Sequence, residues 1–298
     1  MAEIARGVAI VKTLISNAYL VGHRDRWVLL DALAPGRARK LKEAAEARFG
    51  PGTRPKAIVL THGHPDHAGS AAAIADLWGV PIYAHRLELP YLSGRSEYPP
   101  PDHTVPGFFS ALSRLFPVRS CNLGGRVVEL PPDRPLPGME EWQCCFTPGH
   151  SPGHVAFFRP AGRILLAGDA VTTMNLNSFT GTVMQKPQLC GPPVPGTIDW
   201  QQAHRSVEQL AALAPDTICS GHGRPLAGQA SALLDLARNF PIPAHGRYVV
   251  QPAIAGENGI EYLPPAPPDR IPKFVAAAVI TGVGLTLLSK RKKYSRSD

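Results

Sequence analysis

Apolar runs bounded by turn residues divide the chain. Val8–Leu14, Ala18–Val21 and Trp27–Asp31 are short β-rich runs and predict a strand meander. Residues 37–50, RARKLKEAAEARFG, set good helix formers between Pro35-Gly36 and Gly50, so a helix with a solvated basic face is expected. Ala57–Leu60 reads as a buried strand and PIYAH (81–85) as another, while the Ala-rich stretch Ala68–Trp78 has helical character and stops at Gly79. Up to this point strands and helices alternate, as in a layered α/β fold. From Arg86 to about Asn122 the pattern dissolves into a triple proline, several turn signals and the aromatics Tyr91, Tyr98, Phe108, Phe109 and Phe116, with one short helix near Ser110–Leu115. A stretch of this kind is a lid or binding loop, or an insertion that packs its own aromatics, and both readings stay open. Strands follow at 126–130, 141–147, 154–159 and 163–168. A second Pro- and Gly-rich excursion covers 173–198, then come a helix from about Asp199 to Leu213, a strand at 216–220 and a last helix over 228–239.

Charge changes this picture little. The formal net charge is +8, but the last ten residues, SKRKKYSRSD, hold five cations and one anion, and the body is only mildly basic. No stripe of Lys and Arg precedes residue 290, which argues against a nucleic-acid partner. The five cysteines (Cys121, Cys144, Cys145, Cys190, Cys219) form no C-x-x-C pair, so neither a disulfide framework nor a zinc ribbon is indicated and a reducing compartment is the simpler reading. The N-terminus lacks the pattern of a secretory signal.

The C-terminal part reads as an edge segment and Pro-rich linker over 241–272. Residues 274–289 then carry no charge and no polar face, between Lys273 and the cluster 290–293. A single-pass membrane helix over 273–290 with a basic tail over 291–298 is therefore expected, giving membrane association through the C-terminus and otherwise a cytoplasmic protein. Its orientation and the oligomeric state stay open.

Candidate chemistry is concentrated at strand ends. After Leu60 one loop delivers His62, His64, Asp66 and His67, and further on His150, Asp169 and His222 each follow a β-like segment beside Gly or Pro. Neutral imidazole and carboxylate are what a divalent zinc or iron site takes as ligands, and strand ends on one edge of a layered sheet converge, so two metals are the natural reading. Thr61 and Ser220 stand just before two of these loops, where a side-chain hydrogen bond orients them.

The order H-x-H-x-D-H, G-H-S-P-G-H, L-L-A-G-D and S-G-H-G over about residues 8–240 resembles the metallo-β-lactamase superfamily, its glyoxalase II-like branch in particular. The resemblance implies an α+β, four-layered αββα sandwich over 1–240 with the site at one edge of two sheets. It implies that His62, His64 and His150 hold one metal, that Asp66, His67 and His222 hold the second, and that Asp169 bridges them with a water or hydroxide. Zinc is the first expectation for both ions, with iron or manganese as alternatives. Asp66 is also the candidate to orient the attacking water or accept its proton. The implied reaction is hydroxide attack on the carbonyl of a small ester, thioester or lactone, the paired charge having lowered the water's pKa. An iron-dependent oxidoreductase on the same fold and a β-lactam hydrolase are the alternatives. The chain departs from true glyoxalase II in lacking an evident C-terminal helical domain with basic glutathione-binding residues. His154 is read as a hydrogen-bonding support to the ligands and His85 as a candidate facing the substrate cleft, whereas His23, His103, His204 and His245 show no partnering pattern. The apolar, Pro-rich character of the excursions at 86–122 and 173–198 points to an uncharged or amphipathic small molecule.

Overall fold

The structure, a computed structural model, describes residues 3–115, 120–131 and 134–268. The first half builds a seven-stranded sheet in chain order: β1 (Glu3–Ala5), β2 (Val8–Lys12), β3 (Asn17–His23), β4 (Arg26–Leu30), β5 (Ile58–Val59), β6 (Ile82–Ala84) and β7 (Val127–Glu129). The first four run antiparallel, and β4 to β7 run parallel, so the carboxyl ends of β4, β5 and β6 emerge on one edge. Helices α1 (Ala38–Phe49), α2 (Pro65–Ala68) and α3 (Ala71–Trp78) connect them, and α4 (Leu89–Leu92) and α5 (Phe108–Ser113) lie within the irregular stretch.

The second half supplies β8 (Gln143–Phe146), β9 (Val155–Arg159) and β10 (Ile164–Gly168), then a small hairpin of β11 (Thr172–Met174) and β12 (Pro187–Cys190) around α6 (Phe179–Met184). After α7 (Trp200–Ala212), strand β13 (Thr217–Ser220) joins a four-stranded sheet of order β13-β10-β9-β8, and α8 (Ala230–Arg238) covers it. Since β13 is parallel to β10 and antiparallel pairs link β10, β9 and β8, the ends carrying Thr147, His154, Asp169 and His222 share an edge.

Alternation along the strands sorts the side chains into layers. Val28, Leu30 and Val59 meet Phe157, Ile164 and Leu166 between the two sheets. Trp27, Leu29 and Ile58 point the other way, onto Leu41 of α1 and Ile74 and Trp78 of α3. On the far side Leu165 and Ala167 pack under Val207 and Leu210 of α7 and Leu233 of α8. Helix, sheet, sheet and helix thus form the expected αββα sandwich. Ile58→Val removes one methylene from a fully buried site and is expected to cost about 0.5–1.5 kcal/mol, read from the urea midpoint. Three side-chain hydrogen bonds help stitch the two sheets together beside the site edge: Asn17 Nδ2 donates to Ser220 O (2.9 Å) and Gly223 O (2.7 Å), and the Tyr19 hydroxyl to Ser220 O (2.6 Å).

Two expectations change. The helix expected from Ala68 is broken, because Ser70 is tied down: its Oγ donates to Ala34 O (2.6 Å) and accepts from Arg37 N (2.8 Å). Pro65 opens a separate turn ahead of the break and puts Asp66 and His67 on helix rather than loop. The expected membrane anchor and membrane localisation are also corrected. Among the described residues no helix is long and apolar enough to cross a membrane. The segment at 273–290 lies outside the described residues. Residues 241–268 pack on the domain as α9 (Arg247–Val250) and the hairpin β14 (Ile254–Gly256) and β15 (Gly259–Tyr262), with Tyr248 buried and its hydroxyl donating to Pro100 O (2.7 Å).

Candidate metal centre

Seven side chains converge where the two sheets open onto one edge. The loop after β5 with helix α2, the loops after β10 and β13, and the one between β8 and β9 carry them. The ligand atoms of His62, His64 and His150 lie within 4.8 Å of one another, as do those of His62, His67 and Asp169 and those of Asp66, His67 and His222. His62 Nε2 is 3.0 Å from His64 Nδ1, which is itself 3.0 Å from His150 Nε2. Across the floor, Asp169 Oδ2 is 3.5 Å from His150 Nε2 and 2.9 Å from His222 Nε2, while its Oδ1 is 3.5 Å from His67 Nε2. Asp66 Oδ2 completes the second group at 3.5 Å from His222 Nε2 and 3.7 Å from His67 Nε2.

The surroundings aim these rings. Asp31, at the end of β4, takes a left-handed backbone (φ 59°) that an Asp tolerates, and its carboxylate accepts from Thr61 N, Thr61 Oγ1 and His67 Nδ1. With Thr61 Oγ1 donating to Asp31, the contact to His62 Nδ1 at 3.1 Å places the ring proton there. His222 Nδ1 donates to Ile15 O at 2.7 Å. In all three rings Nδ1 is engaged from behind and Nε2 faces the centre. His154 plays a different part: its Nε2 accepts from Asp169 N (2.9 Å) and its Nδ1 meets Thr147 Oγ1 (2.8 Å), so it fixes the Asp169 loop and presents no atom to the centre.

Electrostatics divide the site. Burial, with neighbouring imidazoles, holds His62 and His150 well below the usual histidine range, and burial brings His64 down to about 4 and His154 to about 3. Burial also opposes charge on His67 and His222, but Asp169 and Asp66 outweigh it and raise both. Asp169 is correspondingly held well below the carboxylate range: burial works against its charge, and His222 and His67 overcome it. A trio of neutral imidazoles thus adjoins a group of two carboxylates and two imidazoles. Buried His67 Nε2 and Asp169 Oδ1 have no hydrogen-bond partner, and three imidazole nitrogens of the trio face one another at short range. In the trio, lone pairs converge that a divalent cation would satisfy, and in the second group the carboxylates that favour positive charge on His67 and His222 favour a cation equally, so these residues fit two ions.

The remaining sequence candidate, His85, lies elsewhere. Its ring stacks on Phe146 (centroids 4.6 Å apart), its Nδ1 accepts from Leu87 N (3.3 Å), and burial lowers it to about 4. Sequence reasoning passed over Asp31 and Glu88 as site residues, and met Tyr98 only as one aromatic of the first excursion. Asp31 had one signal, an acid directly after the apolar run WVLL. A cleft of about 270 Å³ opens above the centre, walled by Tyr98, Pro101 and Phe109 from the first excursion, by Pro193 and Pro195 from the second, and by Ile15.

The family model of the Metallo-beta-lactamase superfamily matches residues 11–222. Over 245 residues the chain is 41% identical to the probable metallo-hydrolase YflN of Bacillus subtilis (strain 168), covering 80% of this chain and 92% of that protein. It is 29% identical over 171 residues to the hydroxyacylglutathione hydrolase of Rhodobacter capsulatus, covering 55% of this chain and 47% of that enzyme. Among solved structures, TTHA1623 in a di-iron-bound form superposes with a TM-score of 0.52 at 26% identity, over 76% of this chain and 96% of that one. The metallo-beta-lactamase family protein TTHA1429 from Thermus thermophilus reaches 0.55 at 20% identity over 80% of each chain, a likeness of fold alone. The matched span takes in both histidine loops and Asp169 and ends on His222, and the sandwich sets all of them at one edge; the chain belongs to the metallo-β-lactamase superfamily.

Proposed function

We propose that this protein is a metal-dependent hydrolase with a dinuclear centre, acting on a small ester, thioester or lactone whose acyl part is apolar. The observation that carries this reading is the convergence of His62, His64, His150, Asp169, Asp66, His67 and His222 at the floor of a cleft walled by Pro and aromatic residues. When bound, two divalent cations supply the positive field that acidifies a water and polarises a carbonyl oxygen. His62, His64 and His150 would hold one ion, Asp66, His67 and His222 the other, with Asp169 between them. Zinc suits this nitrogen and oxygen set, and the di-iron form of TTHA1623 supports iron as the alternative occupant. Asp66, with its side chain 29% exposed while that of Asp169 is 3% exposed, is the carboxylate placed to take a proton from an attacking water.

Substrate preference follows from the walls. No Lys or Arg lines the cleft among the described residues, so a substrate carboxylate held away from the centre finds no cationic side chain on the walls. An uncharged acyl thioester or lactone is expected to be turned over with kcat/KM about tenfold or more above S-acyl-glutathione or nitrocefin, both of which carry carboxylates. Metal content by mass spectrometry with turnover on that panel is the test. Two zincs with ester or thioester hydrolysis supports the reading; two irons with dioxygen consumption replaces it by redox chemistry.

A further inference from the structure

Outside the converging seven, one titratable group sits fully enclosed between the two histidine loops. Glu88 closes the turn 86–88 beyond β6 and has no solvent exposure. Its Oε1 accepts from Ser151 Oγ at 2.8 Å and from Gly153 N at 2.7 Å. Its Oε2 accepts from Gly63 N at 2.9 Å and from the Tyr98 hydroxyl. Gly63 separates His62 from His64, and Ser151 follows His150, so a single carboxylate grips both loops that carry the imidazole trio. One loop leaves the seven-stranded sheet and the other joins β8 to β9 of the four-stranded sheet. The grip is close: a Cβ on Gly63 would run into the Tyr98 hydroxyl, and one on Gly153 would meet Glu88 Cγ at 2.8 Å. Tyr98 carries the contact forward, since its ring packs on His64 with centroids 4.8 Å apart and lines the cleft.

We infer that Glu88 is a positioning residue for the three-imidazole half of the centre: its two oxygens hold the loops of His62, His64 and His150 in register. The inference rests on the two-cation reading above. Each oxygen takes one backbone N–H, a donor that cannot reverse, so both must remain acceptors. An amide at this position turns an NH₂ against Gly63 N or Gly153 N whichever way it faces, whereas the two hydroxyls can rotate to suit. None of the four partners is a cation, and burial raises the carboxyl, so the four donated hydrogen bonds are what favour its ionised form.

The test uses the full chain loaded with zinc and dialysed against graded chelator, with zinc per chain read by mass spectrometry and the visible spectrum of the cobalt-substituted protein recorded beside it. Wild type is expected to hold two zincs. Glu88→Gln is expected to keep the ion of Asp66, His67 and His222 and to bind the other about 10–100-fold more weakly, with a changed cobalt spectrum. Should Glu88→Gln fail to fold, the double variant Ser151→Ala/Tyr98→Phe, which strips one hydroxyl donor from each oxygen, is expected to weaken the same ion about tenfold. Unchanged zinc affinity and cobalt spectrum in either variant, with only a lower melting temperature, would overturn the positioning role. Fewer than two zincs in wild type overturns the two-cation reading instead, and Glu88 then stands or falls on whether its variants weaken the single ion.

Discussion

Asp66→Ala is expected to lower kcat/KM on an acyl thioester by about 10²–10⁴-fold, the range for losing a positioned proton acceptor, while leaving a folded protein. The asymmetry between function and stability is local. The Asp66 side chain is 29% exposed and stands on the first turn of α2, so its loss opens no cavity. The backbone is held independently, by Ser16 Oγ donating to Asp66 O at 2.7 Å. A surface-like truncation of this sort changes stability by about 0.5 kcal/mol. What is lost is a carboxylate oxygen that lies within 3.7 Å of both His67 Nε2 and His222 Nε2, on a residue that lines the cleft. Steady-state kinetics must be paired with metal quantification on the same sample. Wild-type turnover in a variant still holding two metals would remove Asp66 from the reaction altogether.

The second large effect is on stability. Asp31→Ala is expected to destabilise the protein by about 3–5 kcal/mol, because it leaves buried donors without an acceptor. Thr61 N (2.8 Å), Thr61 Oγ1 (2.9 Å) and His67 Nδ1 (2.9 Å) all end on this carboxylate, which is 2% exposed. Alanine also suits the left-handed backbone at this position less well than aspartate does. Asp31→Asn keeps an acceptor for Thr61 and the backbone preference but loses an acceptor oxygen, so a smaller loss is expected, concentrated on the orientation of His67. Urea unfolding of the three proteins side by side decides the matter, and a cost below about 1 kcal/mol for the alanine variant rejects the role given to Asp31.

Much of the centre was legible because its residue types are scarce and the loops that carry them are short. His62, His64, Asp66 and His67 crowd into six positions after a strand, and parallel strands deliver such loops to one edge. The layers were legible for a related reason, since alternation in stretches such as WVLL and RILLAG fixes which side chains face which layer. Glu88 was not, nor was the contact of Tyr98 with it and with His64, because both sit in a stretch without periodicity, where a lone acid or phenol carries no spacing to read. His85 showed the converse failure: it ends a strand on the correct edge, yet the following turn directs its ring onto Phe146. The helix break at Ser70 depends on a hydroxyl reaching Ala34 and Arg37, a contact that local propensity does not encode.

The seam between the two sheets has a thermodynamic meaning beyond geometry. Asn17 and Tyr19 of one sheet reach Ser220 and Gly223 of the other, and the imidazole trio itself draws two members from one sheet and one from the other. Neither half of the chain owns a complete donor set, so only the docked molecule can retain a cation. Any ion seated there acts as a clasp whose hold depends on its own concentration, adding about 2.7 kcal/mol against opening when free ion stands at a hundred times its dissociation constant. Scarcity of the metal would then be felt first as a loosening of the sandwich along this seam.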